Sequence, residues 1–495
     1  MSAEQYLMYI GGERLPAKSG SFFESIDPTT GEVWALVPDA ASADVEAAIV
    51  AARQAFHGSA WASLNGYRRG QLMYRLAEVL EQRAEMLAGI ETHDNGKLFR
   101  ETTGQVQFAA RTFRYFAGIA DKILGQVIPL DDDRILDFAV REPVGVCVAL
   151  LGWNSPLQFT ANKLAPALAA GNTVVVKPSE FAAASVLEFA KLTEEVGFPP
   201  GVINVVTGNG PEVGRLLSSH PDVDLISLTG SVATGRAVAG VAAQNITRVV
   251  LELGGKSPHI IFEDADFERA LVGVQAGIFA AAGQTCIAGS RLLLQSSIYE
   301  SFLERLVDET RKIRIGSPFD PATQMGPLAN RPQYERVLEF IKKGVADGVR
   351  LVCGGTAAQV NGFSKGLFIQ PTIFADATNA TAIAREEAFG PVLTVIPFED
   401  EAEAIEIAND SEFGLASGLW TKDLSRGIRV SRAMRTGTVW VNTYRTVAAA
   451  APFGGFRRSG LGRERGLEAI REYTLVKNVM IDTSDQERNP FIQRS

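Results

Sequence analysis

Three cysteines and four histidines are all that 495 residues hold. Cys147, Cys286 and Cys353 are too few and too scattered for a disulfide framework or a zinc cluster, so a reducing compartment and no metal centre are expected. Basic charge is also in deficit: 48 Lys and Arg stand against 57 Asp and Glu, a formal net charge of −9. That balance disfavours nonspecific attraction to nucleic acid or to an anionic membrane surface. One run, Phe456-Arg457-Arg458-Ser459-Gly460-Leu461-Gly462-Arg463-Glu464-Arg465, is basic, but Glu464, Glu468 and Glu472 offset it, and it reads as a solvated turn. No uninterrupted apolar run is long enough to span a bilayer, and Met1-Ser2-Ala3-Glu4-Gln5 lacks the basic start and apolar stretch of a signal peptide. The expected location is the cytoplasm. Low complexity is missing too, the 47 Gly and 22 Pro being spread along the chain.

A chain of this length exceeds the size at which one hydrophobic core usually stops growing, so two or more packed lobes are expected. The first segment carries helical periodicity, with Val45, Ile49, Ala52 and Phe56 on one face and Leu72, Leu76, Val79, Leu87 and Ile90 on others. From about Val146 short apolar runs alternate with helical stretches: Val146–Leu151, Thr173–Val176, Val202–Val206, Leu225–Leu228, Val249–Leu251 and His259–Phe262. Alternation of this kind implies a parallel sheet covered on both faces, because parallel neighbours need crossover connections. A second alternating series runs from about Asp266 to Ala451, including Arg291–Gln295, Phe368–Ile373, Val392–Pro397 and Thr438–Asn442. A cleft between two such α/β units is a natural binding place. The β-prone tail Tyr473–Ile481 needs a neighbour, and edge pairing with a second copy makes a homo-oligomer the expectation.

Taken singly, the residues able to carry chemistry are ambiguous. Gly208-Asn209-Gly210-Pro211-Glu212-Val213-Gly214 follows a strand but is spaced GxGxxxG, which suits a dinucleotide loop and a plain strand–helix turn equally. Leu228-Thr229-Gly230-Ser231 is the better phosphate cradle, because the turn opens a helix whose free N–H groups point outward. Lys177 and Glu180 end another strand, where they could grip ribose hydroxyls or merely be surface charges. Cys286 lies among small residues in Gly283-Gln284-Thr285-Cys286-Ile287-Ala288-Gly289-Ser290, which lets a substrate approach a thiol. Cys147 and Cys353 read as small buried hydrophobes. A cysteine hydrolase needs a histidine partner, and none of His57, His93, His220 and His259 has a comparable glycine-rich setting. Glu252, flanked by leucines, is a carboxylate set to be buried and to titrate high enough to serve as a base, or else a satisfied buried acid. Asn154, in Gly152-Trp153-Asn154-Ser155-Pro156, offers an amide donor for an oxyanion, or a turn residue.

The combination is more specific than its parts. Trp153-Asn154, Lys177-Pro178-Ser179-Glu180, Glu252-Leu253-Gly254-Gly255-Lys256, Gly283-Gln284-Thr285-Cys286, Glu387-Ala388-Phe389-Gly390-Pro391 and Pro452-Phe453-Gly454-Gly455 occur in this order, and the chain resembles the aldehyde dehydrogenase superfamily over essentially its whole length. The resemblance implies two doubly wound Rossmann-like domains with a small β oligomerisation extension. Residues 1–120 and 140–253 would bind the dinucleotide, 254–455 would be the catalytic domain, and 121–139 with 470–495 would bridge subunits of a homodimer or homotetramer.

It also implies roles. Cys286 would be the nucleophile, Asn154 with the Cys286 N–H the oxyanion donors, Glu252 the base that activates water against a thioester, and Glu464 a second acid assisting proton transfer. The cofactor would be NAD, with NADP also accepted by some relatives, since an acid at Glu180 would repel a 2′-phosphate. Trp153, Lys177, Glu180, Gly230, Ser231, Glu387 and Phe389 would hold it. Many relatives carry an aromatic residue after the oxyanion asparagine and a tryptophan before the lysine of the next helix, where this chain has Ser155 and, before Lys163, Asn162. A roomier tunnel is therefore expected, bordered by Ser155, Phe159 and Phe453. Arg445 at its entrance would meet an anionic group or pair with a structural carboxylate. The substrate expected is a bulky, aromatic or ring-derived aldehyde. The alternatives are a CoA-acylating relative, against which Glu252 argues, a thioesterase without cofactor, and an inactive structural relative.

Overall fold

The computed structural model describes residues 3–485 and Phe491. Two mainly parallel sheets organise the chain, as the alternating runs require. The first has eight strands in the order Gly460–Leu461, Arg248–Glu252, Leu225–Thr229, Val146–Leu150, Thr173–Lys177, Ile203–Val205, Met8–Ile10 and Glu13–Leu15. Its five middle strands are parallel, and the edges are antiparallel. Thr173-Val174-Val175-Val176-Lys177 is buried at every position. A β-branched run of that kind suits a strand covered on both faces.

The second sheet has seven strands, in the order Arg350–Cys353, Thr372–Ala375, Val392–Phe398, Arg291–Gln295, Pro258–Ile261, Ala416–Trp420 and Thr438–Val441. All its pairings are parallel except that of the edge strand Arg350–Cys353. Phe302, Leu306, Phe374 and Ile396 are among the residues of its core. Each sheet thus has its own packed interior, in keeping with the size argument.

The parallel part of the first sheet starts at Val146–Leu150, adds Thr173–Lys177 and Ile203–Val205 on one side, then returns to the other side for Leu225–Thr229 and Arg248–Glu252. The carboxyl ends of the strands at that reversal, Leu150 and Thr229, open a crevice of the kind in which ligands bind in such sheets. The helix Pro156–Ala170 leaves the crevice floor directly. Pro156 occupies its first turn, where a missing N–H is harmless, and Gly171 at φ 99 ends it.

A separate three-stranded sheet pairs Thr474–Asp482 with Ile135–Pro143, and that strand with Gln126–Ile128. Of the tail, residues 486–490 and 492–495 lie outside the described residues.

Two expectations need correction. The opening segment is not only helical: Met8–Ile10, Glu13–Leu15, Phe22–Asp27 and Glu32–Pro38 are strands before the helix Ser42–His57. Phe22–Asp27 pairs with Glu32–Pro38 and Met8–Ile10 with Glu13–Leu15, and Tyr9 joins this last pair to the first sheet through Val205. The strand expected at Phe368–Ile373 begins only at Thr372. Pro371 has no N–H for the ladder, and before it the buried Phe368 and Ile369 lie outside the sheet, Ile369 in an isolated antiparallel bridge to Ala357.

Candidate active site

A cleft of about 710 Å³ lies over the carboxyl ends of the first sheet, closed on its other side by residues from the second unit. Trp153, Asn154, Phe159, Lys177, Glu180, Gly230, Ser231, Glu252, Cys286, Glu387 and Phe389 line it together. Residues spread over more than two hundred positions of sequence converge on one cleft.

Cys286 follows the helix Phe267–Phe279 and a tight turn in which Ala281, Ala282 and Gly283 all take positive φ, at 54, 51 and 72. A Cβ at Gly283 would collide with the carbonyl of Gly390, so only glycine allows the turn to close. Gln284 then fixes the loop: its Oε1 accepts from Ala329 N at 2.9 Å and its Nε2 donates to Ala281 O at 3.3 Å. Ala281 N in turn donates to Glu101 Oε1 at 3.0 Å. The Cys286 side chain is half-buried. Burial, with Glu252 and Glu387 nearby, pushes its thiol up to about 12, while Arg465 and the residue's own N–H pull the other way.

Asn154 Nδ2 donates to Gln284 O at 3.0 Å. One amide hydrogen therefore ties the oxyanion candidate to the cysteine loop, and the second is left for a ligand. Glu252 ends its strand, and neither of its buried carboxylate oxygens has a hydrogen-bond partner among the described residues. Burial first, and Glu464 second, hold this carboxyl well above the ordinary carboxylate range against the pull of Lys163. An unpartnered carboxyl beside a thiol is expensive to keep and is chemically available.

The remainder of the cleft fits a dinucleotide. Ser231 Oγ accepts from Thr234 N at 3.1 Å and caps the helix Val232–Ala242, whose first N–H groups face the cleft as an anion would need. Lys177 is buried, with Nζ 3.6 Å from Glu180 Oε2. Glu180 Oε1 accepts from Gly210 N at 3.4 Å, which brings the Gly208–Gly214 loop onto the same wall. That loop is a π-helical turn over Gly210–Gly214 rather than the start of a regular helix. Glu387 Oε1 accepts from Gly255 N at 3.0 Å, and burial pushes its carboxyl up to about 7. Gly254 packs so tightly against this carboxylate that a Cβ there would collide with it. The Phe389 ring, on a residue at φ 53, meets Trp153 edge-on with centroids 5.2 Å apart.

Four expected residues are not on the cleft wall. Ser155 is buried: its Oγ accepts from Lys97 Nζ at 2.9 Å and donates to Asn154 O at 2.6 Å. Glu464 is buried against Lys163 Nζ at 2.5 Å and Asn162 Nδ2 at 3.3 Å. Phe453 packs with Cys286 and Tyr444 against Ile287, Leu415 and Trp440. Arg445, at φ 61, donates to Ala276 O at 3.1 Å and makes no ion pair with a carboxylate among the described residues. Phe453 thus stands with the thiol but apart from the cleft, so Cys286 has a second flank.

Sequence reasoning missed several participants. Lys97 is buried behind Asn154, and burial pulls its ammonium down to about 8. Lys163 holds Glu464 and also donates to Ser227 Oγ at 3.1 Å. The basic run is only partly a solvated turn: Arg457 and Arg458 are exposed, whereas Arg465 is buried. Its position directly after Glu464 was the available signal.

The model of the aldehyde dehydrogenase family matches residues 15–479 of this chain. The chain belongs to the aldehyde dehydrogenase family. It is 47% identical to the (Z)-2-((N-methylformamido)methylene)-5-hydroxybutyrolactone dehydrogenase of Acinetobacter baylyi over 494 residues, 99% of this chain and 100% of that protein. Identity to the human retinal dehydrogenase 2 is 44% over 477 residues, 96% of this chain and 91% of that protein. Among solved structures, betaine aldehyde dehydrogenase from Staphylococcus aureus in complex with NAD+ superposes with a TM-score of 0.97 at 39% identity, covering 99% of this chain and 98% of that one. The two-sheet architecture is accordingly the aldehyde dehydrogenase fold, and the protein is an oxidoreductase that acts on aldehydes.

Proposed function

We propose that this aldehyde dehydrogenase oxidises a bulky or ring-derived aldehyde to its carboxylic acid with NAD, through a thioester on Cys286 that water hydrolyses. The observation that carries the reading is the presence of Cys286, Glu252 and Asn154 in the lining of one cleft beside a dinucleotide-shaped remainder. The Cys286 thiolate adds to the aldehyde carbon. The Cys286 N–H and the free hydrogen of the Asn154 amide receive the oxyanion. When bound, NAD supplies the acceptor for the hydrogen and two electrons that leave that carbon. Glu252, unpartnered and buried, then takes a proton from the water that attacks the thioester, and the acid departs as Cys286 recovers its thiol.

Lys177 and Glu180 hold the adenosine ribose, Gly230 and Ser231 the pyrophosphate, and Glu387, Phe389 and Trp153 the nicotinamide ribose and ring. The carboxylate of Glu180 supports NAD over NADP. Residues 1–120 with 140–253 serve as the dinucleotide unit, and 254–455 carry the thiol. Residues 121–139 with 470–485 pair subunits, since Thr474–Asp482 is a sheet edge with Val476 and Met480 exposed. Glu464, locked to Lys163, acts by setting the charge around Glu252.

Phe159 and Phe453 support a substrate with apolar bulk, as does the relative named for a hydroxybutyrolactone derivative. A CoA-dependent second step is disfavoured, because a base beside the thioester serves water and not a thiol. The test is reduction of NAD by an aldehyde panel in the absence of CoA. Acid formation that requires Cys286 supports the reading; strict dependence on CoA overturns it.

A further inference from the structure

The second flank of Cys286 contains a buried cation that the catalytic roles above leave unused. Arg465 is 4% exposed. Its backbone stands at φ 60, ψ 170, a region that glycine alone adopts readily, so a large side chain is held there against local preference. The guanidinium carbon lies 4.8 Å from the centre of the Phe453 ring and 5.0 Å from that of Phe108. Nε donates to Asn162 Oδ1 at 3.4 Å. Among the described residues nothing accepts a hydrogen bond from Nη1 or Nη2. The adjacent Glu464 is already occupied by Lys163 and Asn162.

A structural arginine at this depth is normally paired, and one wanted only for bulk needs no charge. Here the stem and Nε are fixed while the outer edge of the fork stays open. Phe453 belongs to the same apolar cluster as Cys286, and the charge of Arg465 acts on the Cys286 thiol and on Glu252. Lys97, whose Nζ donates to Asn154 O and Ser155 Oγ, is a second buried cation that acts on the Cys286 thiol. Burial pulls the Arg465 guanidinium below its usual range, but it remains a cation throughout the neutral range.

We propose that Arg465 is the specificity determinant for an anionic substrate, receiving on its open edge the carboxylate of an aldehyde whose carbonyl carbon meets Cys286. The inference rests on Cys286 as the nucleophile. A planar fork with two open donors matches a carboxylate bidentately, and the aromatic rings on either side remove competing water. A cationic aldehyde is disfavoured at the same place.

Matched pairs test it: 4-carboxybenzaldehyde against 4-methylbenzaldehyde, and succinic semialdehyde against butanal, with wild type, R465Q and R465K. The expected result is a wild-type preference in kcat/KM for the carboxylate member of at least one pair, falling roughly 10- to 100-fold in R465Q, chiefly through KM, and partly restored in R465K. A preference unchanged by R465Q, or absent from the wild type, overturns the proposal. Alkylation of cofactor-free protein gives an independent reading. The ratio of iodoacetate to iodoacetamide rates at Cys286, located by peptide mapping, is expected to fall in R465Q. Equal slowing by both reagents assigns Arg465 to thiolate stabilisation and overturns the anion site. Failure of either reagent to modify Cys286, with no aldehyde turned over, removes the nucleophile assignment itself.

Discussion

At Cys286 two influences oppose each other: burial with two neighbouring carboxyls disfavours the thiolate, and Arg465 favours it. With the thiol pushed up to about 12, only a small fraction is ionised at neutral pH, so the rate of Cys286 alkylation by iodoacetamide is expected to climb with pH through the alkaline range. Glu252→Gln removes a negative neighbour of the thiolate and shifts that profile to lower pH; an unchanged profile would show that the two groups do not interact. If Glu252 is the water-activating base proposed above, the same substitution brings a steady-state loss of roughly 10²- to 10⁴-fold while a first burst of NADH persists. On the proposed role of Asn154 as an oxyanion donor, Asn154→Ala is expected to lower kcat roughly 10²- to 10³-fold with little change in KM, measured in steady-state assays. As candidates that the structure brings to one cleft, these residues stood out because their neighbours are distinctive: small residues around Cys286, leucines around Glu252. Lys97, Lys163 and Arg465 were not, because a charged residue in sequence looks the same whether solvent or a carboxylate 300 positions away surrounds it.

Short elements decide the geometry of the site. The strands Leu225–Thr229 and Arg248–Glu252 end together, which places Gly230 N 3.0 Å from Glu252 O and couples the Gly230–Ser231 turn to Glu252. Gly254, next along, has room for no side chain against Glu387. Gly254→Ala is therefore expected to displace the Glu387 carboxylate and weaken NADH binding by up to about tenfold, the equivalent of one lost hydrogen bond, as followed by fluorescence titration. Binding at wild-type strength would mean that Glu387 does not hold the cofactor. At this scale the buried parallel strands were readable, since runs such as Thr173–Lys177 are apolar on both faces. The opening strands were not: three residues such as Met8–Ile10 give too short a pattern, and that strand also docks on Ile203–Val205, an edge formed later in the chain. The displaced start at Thr372 has a local cause, Pro371, that a periodicity reading overlooks.

For the molecule as a whole, the arrangement of two sheets followed from strand–helix alternation, and the cleft followed from the reversal of strand order. How the second unit closes over the first depends on contacts such as Glu101 with Ala281 and Asn154 with Gln284, which no local pattern encodes. The tail strand carries its own prediction: Val476→Lys on the exposed edge is expected to shift light-scattering mass toward smaller species, and an unchanged mass would move the subunit contact elsewhere. The central claim concerns the thiol and base acting across this cleft, and pre-steady-state absorbance at the reduced nicotinamide band tests it most directly. With wild type, Cys286→Ala and Glu252→Gln mixed with NAD and an aldehyde that the wild type turns over, the account predicts continuous NADH formation, none, and one equivalent per active site followed by a stall. NADH formation by Cys286→Ala, or full steady-state turnover by Glu252→Gln, would contradict it.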